Sequence, residues 1–139
     1  MNVCIINCGK DRNTSKLVEV SKGLSKGLES QGHMVTILDA YTDNDKRLSY
    51  YDYIIVGTES VGLLSAKTPE VLAKFLREVP GAAGKRSFVF NLKSLRSAKQ
   101  LCIAMKDMER EGMFVTNSGT LKNSSEAEAV GKRLQINRN

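Results

Sequence analysis

The stretch IINCGKDRNTSKLVEV, residues 5–20, combines an apolar strand, a polar turn and the start of an amphipathic helix. Gly9 stands in the turn, and Leu17 and Val20 follow at helical spacing. A strand that turns directly into a helix points free backbone N–H groups at the space above the turn, which suits a phosphate. The turn has one glycine and a central aspartate, so the sequence leaves open whether it is a working phosphate loop.

Strands and helices alternate along the rest of the chain. We predict strands at residues 3–7, 33–40, 53–58, 87–92 and within 113–119, and helices at about 14–30, 68–79, 97–111 and 124–134. Residues 41–52 are polar and turn-rich, so we expect no long helix between the second and third strands. The alternation predicts one α/β domain over residues 1–139, a three-layer, doubly wound, five-stranded parallel sheet of order 2-1-3-4-5.

In this topology, ligands bind at the carboxyl ends of the strands, where the strand order reverses. We therefore expect a crevice between the loops at residues 8–14, 58–66 and 92–97.

Two local details follow from the helix patterns. Thr68 before Pro69 predicts an N-cap for the second helix, and Ser124 or Ser125 predicts one for the last. The predicted buried face of the third helix consists of Ala98, Leu101, Cys102, Met105 and Met108.

Composition excludes several classes of function. The net charge of +6 favours anionic partners, but the basic residues are dispersed and only 6% of residues are aromatic, which disfavours nucleic-acid binding. No apolar run approaches the ~20 residues that span a bilayer. The N-terminal stretch reads as a strand and lacks the features of a signal peptide, so we expect a cytoplasmic protein with no membrane partner.

The three cysteines form no disulfide framework, and with the single His33 they match no zinc spacing. We expect Cys4 and Cys102 to be buried and His33 to be structural. Cys8 enters the turn, where a helix N-terminus lowers thiol pKa values, so a reactive role is a minor alternative to a structural one. The chain offers no Ser/His/Asp or Cys/His set for nucleophilic catalysis.

Three further stretches carry a family resemblance: NTSKLVEVSKGLSKGL (13–28), LSYYDYIIVGTESVG (48–62) and KTPEVLAKFL (67–76). Together with the strand order, they resemble the flavodoxins and flavodoxin-like proteins over nearly the whole chain. The resemblance implies non-covalent binding of FMN, with electron transfer or flavin-dependent reduction as the function. Any reaction would be the flavin's own, and whether the protein is an enzyme stays open.

The family phosphate loop reads Ser/Thr-x-Thr-Gly-Asn-Thr, and this chain has GKDRNT at residues 9–14. Asn13 and Thr14 match that pattern, whereas Gly9, Asp11 and Arg12 depart from it and remove two hydroxyl donors. Backbone N–H groups remain, and Lys10 and Arg12 add positive charge. The alternative is a solvent-exposed helix start capped by Asp11 or Asn13.

The loops after the third and fourth strands contain no aromatic residue to stack on a flavin ring. Leu63, Leu64 or Leu95 would have to cover the ring by apolar burial alone, so we predict weaker flavin binding than in a typical flavodoxin. Glu59 is either a carboxylate near the ring that lowers the flavin potential or a solvent-facing loop residue. The resemblance implies these cofactor-binding residues: Gly9, Lys10, Arg12, Asn13, Thr14, Thr58, Glu59, Ser60, Val61, Gly62, Asn91, Leu92 and Lys93.

Two functional readings remain open. The first is an FMN-binding redox protein, whose redox partner would be acidic because this chain is basic. The second is a degenerate flavodoxin-like interaction module that binds no flavin. A response-regulator-like receiver shares the strand order, but it requires acidic residues after strand 1 and an Asp at the end of strand 3, where this chain has Cys8 and Thr58. The oligomeric state is not predicted.

Overall fold

Five parallel strands form the central sheet of the computed structural model, which describes residues 1–136. The strand order is β2-β1-β3-β4-β5, as the alternation predicts. The elements are β1 (Asn2–Cys8), α1 (Ser15–Ser30), β2 (Met34–Asp39), β3 (Tyr53–Thr58), α2 (Glu70–Glu78), β4 (Arg86–Leu92), α3 (Ser97–Arg110), β5 (Phe114–Leu121) and α4 (Ser124–Arg133). The single domain over 1–139 stays a prediction, and its last three residues lie outside the described part.

Two apolar clusters fill the spaces on either side of the sheet. Alternate residues of β1 enter different clusters, because successive side chains of a strand point to opposite faces. Val3 and Ile5 pack with α1 and α4, whereas Cys4 and Ile6 pack with α2 and α3. β3 is buried along its whole length, which explains its continuous apolar sequence.

The α1 and α4 helices approach each other very closely. A Cβ atom added to Gly27 would lie 2.2 Å from the carbonyl oxygen of Glu128, and one added to Gly131 would lie 2.5 Å from that of Leu24. Glycine is therefore required at these positions for the backbones to meet.

The connection between β2 and β3 contains no helix, as predicted. It is held by turn hydrogen bonds and by Lys85, whose Nζ donates to the carbonyl oxygens of Ser49 (3.1 Å) and Tyr51 (2.6 Å). The face of the sheet that carries α2 and α3 therefore has one crossover without a helix.

Three local predictions are wrong. Pro69, with ψ of 139°, is itself the N-cap residue of α2, and the hydroxyl of Thr68 donates instead to Asp107 of α3. The α4 cap is Asn123, whose Oδ1 accepts from the N–H of Glu126 at 2.8 Å, rather than Ser124 or Ser125.

The third error is the buried face of α3. Cys102 and Ala98 are exposed, and the helix buries Ser97, Gln100, Ala104 and Met108. Of the predicted set, Met108 is buried and Leu101 and Met105 are half-buried. No helix within residues 1–136 has the length and apolarity needed to cross a bilayer.

Candidate functional site: the carboxyl edge of the sheet

In the turn between β1 and α1 (residues 9–14, the β1–α1 turn), two backbone N–H groups donate hydrogen bonds to carboxylate side chains of the same chain. The N–H of Lys10 donates to Oε2 of Glu59 at 3.1 Å, across from the loop after β3. The N–H of Asn13 donates to Oδ1 of Asp11 at 2.8 Å within the turn. Two of the amides that a phosphate would use are therefore occupied by internal anions.

Gly9 closes the turn. A Cβ atom at Gly9 would lie 1.9 Å from Cγ2 of Thr14 and 3.0 Å from Oε2 of Glu59, so only glycine fits between them. Thr14 is the N-cap residue of α1 without a side-chain cap hydrogen bond. Asp11 and Asn13 do not cap the helix either, so the cap expected in the alternative is wrong, whereas residues 10–13 are solvent-exposed as that alternative expected.

Tyr41 joins the β1–α1 turn from the end of β2, and the sequence analysis missed it. Its hydroxyl donates to the carbonyl oxygen of Gly9 at 2.8 Å, and Cζ of Arg12 lies 5.6 Å from its ring centroid. Partial burial and the nearby carboxylate of Asp11 raise the pKa of Tyr41. The signal was available, because β2 lies beside β1 and both end at the same edge.

A second set of polar groups, buried or half-buried, lies under the loops after β3 and β4. We call it the edge network: Thr58, the carbonyl of Glu59, Asn91, Ser97, Gln100 and Thr120. Nε2 of Gln100 donates to the carbonyl oxygen of Glu59 at 3.1 Å, and Oε1 of Gln100 accepts from Asn91 at 2.6 Å.

Asn91 completes the edge network in two further directions. Its Nδ2 donates to the carbonyl oxygen of Ser97 at 2.7 Å, and its Oδ1 accepts from the hydroxyl of Thr120 at 2.7 Å. Asn91 and Thr58 were predicted to contact a cofactor, but here both are fully buried and serve the edge network. Gln100 and Thr120 were not predicted.

The loop after β3 is stabilised by its own hydrogen bonds. The hydroxyl of Ser60 donates to the carbonyl oxygens of Gly62 (2.9 Å) and of Ser65. The predicted residue Val61 is exposed in this loop, as are Leu63 and Leu64, at 77% and 71%.

The residues of the loop after β4 differ from one another in their exposure to solvent. Leu92 is half-buried against the apolar cluster on the α1 and α4 side, and the side chain of Lys93 is exposed while its N–H donates to Leu121. Leu95 is 70% exposed. The hydroxyl of Ser94 is buried and has no hydrogen-bond partner within residues 1–136.

A cleft of about 930 Å³ lies beside the β1–α1 turn. We call it the basic cleft. It lies between the turn, the start of the β2–β3 connection and α2. Of the three loops expected to form the crevice, 8–14 and 58–66 contribute to its lining and 92–97 does not. Its charged lining residues are Lys10, Arg12, Lys67, Glu70, Lys74, Arg77 and Glu78. The crossover that lacks a helix leaves this space beside α2.

Cys8 is buried at the end of β1, and burial together with the carboxylate of Asp39 raises its pKa. The alternative of a reactive Cys8 thiolate is therefore wrong. Burial also raises the pKa of Cys4 to about 12. No group of His, Cys, Asp and Glu within residues 1–136 has the geometry of a metal site.

No family model and no curated protein matches the sequence. Solved structures do match. Oxidised flavodoxin 1 from Bacillus cereus superposes with a TM-score of 0.70 at 14% identity, over 97% of this chain and 100% of that chain. The fold is that of the flavodoxins. The resemblance found in the sequence is thus confirmed at the level of the fold, and the low identity is consistent with an atypical flavodoxin-like chain.

Two other flavodoxins give the same result. Two-electron reduced flavodoxin from Megasphaera elsdenii has a TM-score of 0.73 at 16% identity, over 94% of this chain and 96% of that chain. A flavodoxin from the domain Archaea has a TM-score of 0.66 at 18% identity, over 95% of this chain and 94% of that chain. At these identities, the structures establish the flavodoxin-like fold, while the chemistry has to be argued from the site.

The donor set of the carboxyl edge fits an anionic, partly apolar ligand. The N–H of Lys10 already binds a carboxylate oxygen, which stands in for an external anion. The unpartnered hydroxyl of Ser94 and the exposed leucines 63, 64 and 95 supply a polar contact and apolar surface near the ends of β3 and β4. These features are compatible with a flavin phosphate and ring.

Proposed function

We propose that this flavodoxin-like chain binds FMN non-covalently at the carboxyl edge and serves in electron transfer or flavin-dependent reduction. The observation that supports the proposal is the contact between the N–H of Lys10 and Oε2 of Glu59, because in it an amide of the β1–α1 turn donates to a negatively charged oxygen. A further support is a solved structure that superposes with a TM-score of 0.58, a Fusobacterium nucleatum flavodoxin variant bound to flavin mononucleotide.

Each part of the ligand has candidate partners in this chain. The turn amides, with the side chains of Lys10 and Arg12, would hold the phosphate. Leu63, Leu64 and Leu95 would shield the ring from water. A bound flavin supplies the electron-accepting and electron-donating chemistry, and the protein contributes binding, orientation and the surrounding charge.

Titration of the purified protein with FMN, followed by flavin fluorescence, tests the proposal. We expect binding weaker than a Kd of about 1 μM, or roughly −8 kcal/mol, because the ring aromatics and two loop hydroxyls are missing. Arg12→Gln should weaken FMN binding, whereas Arg133→Gln, the same change on exposed α4, should not. A sub-micromolar affinity for FMN would contradict the expectation of weak binding. If the protein binds no flavin at all, the proposed function is refuted.

The same turn supports a second candidate function, an interaction module without flavin. Both Glu59 and Asp11 hold turn amides, so the turn satisfies part of its hydrogen-bonding capacity without a ligand. A colourless protein that binds neither FMN nor riboflavin, but still binds an acidic polymer, would favour this candidate.

We further propose that the basic cleft receives an acidic partner protein. Five cationic residues and two carboxylates line it, a net charge of +3. Complementary charge raises association rates and makes them salt-dependent. As a probe, poly-L-glutamate should bind in low salt and dissociate as salt is added.

Charge-matched variants locate that interaction. The double variant Lys74→Gln with Arg77→Gln should weaken poly-L-glutamate binding more than Lys22→Gln with Arg133→Gln, which removes the same charge from α1 and α4 on the opposite face. Equal losses would show that binding depends on net charge alone and would refute the cleft as the docking surface.

We also propose a cytoplasmic location. The unpaired state of all three cysteines supports it, because disulfides are rare in reducing compartments. Fractionation of cells that express the tagged chain tests this location.

A further inference from the structure

Glu59 is positioned by two contacts that act on different parts of the residue. Its carbonyl oxygen accepts from Nε2 of the buried Gln100 at 3.1 Å, which fixes the backbone at the start of the loop after β3. Its carboxylate then reaches the β1–α1 turn, where Oε2 accepts from the N–H of Lys10 at 3.1 Å. The side chain therefore bridges the loop after β3 to the turn after β1.

We propose that Glu59 is an internal competitor for phosphate at the β1–α1 turn and sets the selectivity of this site against phosphorylated flavin. The inference rests on the proposed flavin function. A phosphate and a carboxylate are both anions, and the dianion of a phosphate monoester such as that of FMN has no hydrogen to donate, so the two cannot share the N–H of Lys10 without repulsion. A phosphate that binds there displaces Glu59, whereas an unphosphorylated flavin has no group that needs this amide.

The space at the turn strengthens the argument. Oε2 of Glu59 lies 3.0 Å from the position that a Cβ atom would take on Gly9, so the carboxylate sits directly against the glycine backbone. A ligand that approaches the backbone at Gly9 meets this oxygen as well as the methyl group of Thr14. Glu59 thus blocks the turn by its volume as well as by its charge.

Asp11 does not have the same role. It lies within the turn, is exposed, and accepts from the N–H of Asn13 two residues along the chain. This local contact accompanies the turn conformation itself. Glu59 comes from 49 residues away, so its carboxylate is not part of the local hydrogen bonding within the turn.

Titration of the ¹⁵N-labelled, flavin-free protein with inorganic phosphate gives a readout that does not depend on flavin. Binding is followed at the Lys10 amide resonance, against chloride at matched ionic strength. We expect Glu59→Ala to increase phosphate affinity about tenfold or more, and Glu59→Gln to give a smaller increase because its neutral oxygen still accepts from Lys10. Glu109→Gln, an equal charge change on exposed α3, should leave phosphate affinity unchanged.

Parallel titrations with FMN and riboflavin complete the test. We expect Glu59→Ala to tighten FMN binding about tenfold while riboflavin affinity stays the same. If both flavins bind and their affinity ratio does not move, the inference is wrong. If phosphate binds more tightly to Glu59→Ala but no variant binds either flavin, the proposed function fails while Glu59 is supported as the competitor. An equal phosphate response in Glu59→Ala and Glu109→Gln would overturn the inference, and unchanged amide spectra elsewhere verify that each variant is folded.

Discussion

Replacing Gln100 by methionine tests whether the edge network stabilises the fold. Gln100 is fully buried on α3, and its amide group joins two different loops. Nε2 donates to the carbonyl oxygen of Glu59 at 3.1 Å and lies 3.5 Å from the hydroxyl of Thr58, and Oε1 accepts from Nδ2 of Asn91 at 2.6 Å. Methionine has nearly the same length and shape, so the change removes the hydrogen bonds while leaving little cavity.

The magnitude follows from the groups that lose a partner. The carbonyl of Glu59 and one N–H of Asn91 become unsatisfied, and each buried orphan costs about 1–3 kcal/mol. The sum is about 4 kcal/mol at the middle of that range. Burial of the apolar thioether side chain stabilises the fold by roughly 1–2 kcal/mol relative to burial of the amide, which offsets part of this loss. We therefore expect Gln100→Met to lower the free energy of unfolding by about 2–3 kcal/mol.

Urea unfolding measures this loss directly. The midpoint should fall with little change in the m-value, because the variant and the wild-type protein expose similar amounts of surface on unfolding. Gln135→Met is the matched control at an exposed position and should change the free energy of unfolding by no more than about 0.5 kcal/mol. If the two variants lose the same amount of stability, the edge network does not stabilise the fold and the reasoning is refuted.

Three further changes test the packing, the capping and the thiols, each by urea unfolding. Gly27→Ala should cost about 1–3 kcal/mol, because its Cβ atom would lie 2.2 Å from the carbonyl oxygen of Glu128 and would push α1 away from α4. Asn123→Ala should cost about 1 kcal/mol, since its Oδ1 caps α4; an unchanged midpoint would contradict that capping role. Burial raises the pKa of Cys4 from 9.0 to about 12, so its thiol stabilises the fold fully below pH 9 and loses this contribution as the pH rises towards 12. The free energy of unfolding should fall by about 1.4 kcal/mol through this thiol between about pH 8 and pH 10. Cys4→Ala should make the free energy of unfolding depend less on pH in this range, whereas Cys102→Ala should not.

The sheet order was predictable because each buried strand and amphipathic helix is encoded locally. The buried face of α3 was not predictable in the same way. Apolarity selects residues 98, 101, 102, 105 and 108, whereas the structure buries 97, 100, 104 and 108. The difference is about one residue, or roughly 100° of rotation around the helix. Gln100 turns inward because Asn91 and the Glu59 carbonyl provide hydrogen bonds for its amide, which hydrophobicity alone does not reveal.

The start of α2 is a second place where a tertiary hydrogen bond overrides the local prediction. Thr68 followed by Pro69 has the composition of a helix cap, but the Thr68 hydroxyl donates to Asp107 of a different helix. A tertiary hydrogen bond thus replaces the local one that the sequence predicts. The contact between Lys10 and Glu59 likewise joins residues far apart in the chain, so no local sequence pattern predicts it.

The location of the buried polar side chains connects stability with the site. Five of them, Asn7, Thr58, Asn91, Ser97 and Gln100, lie at or next to the carboxyl ends of the strands. Apolar side chains would fill the same space without any requirement for partners, so polar residues here stabilise the fold only while their hydrogen bonds are complete. Such a network fixes the loop backbone that it binds, including the carbonyl of Glu59. If this backbone stays fixed when the Glu59 side chain is shortened, the change in phosphate affinity reports the removed carboxylate itself, and a rearranged loop makes no contribution to it.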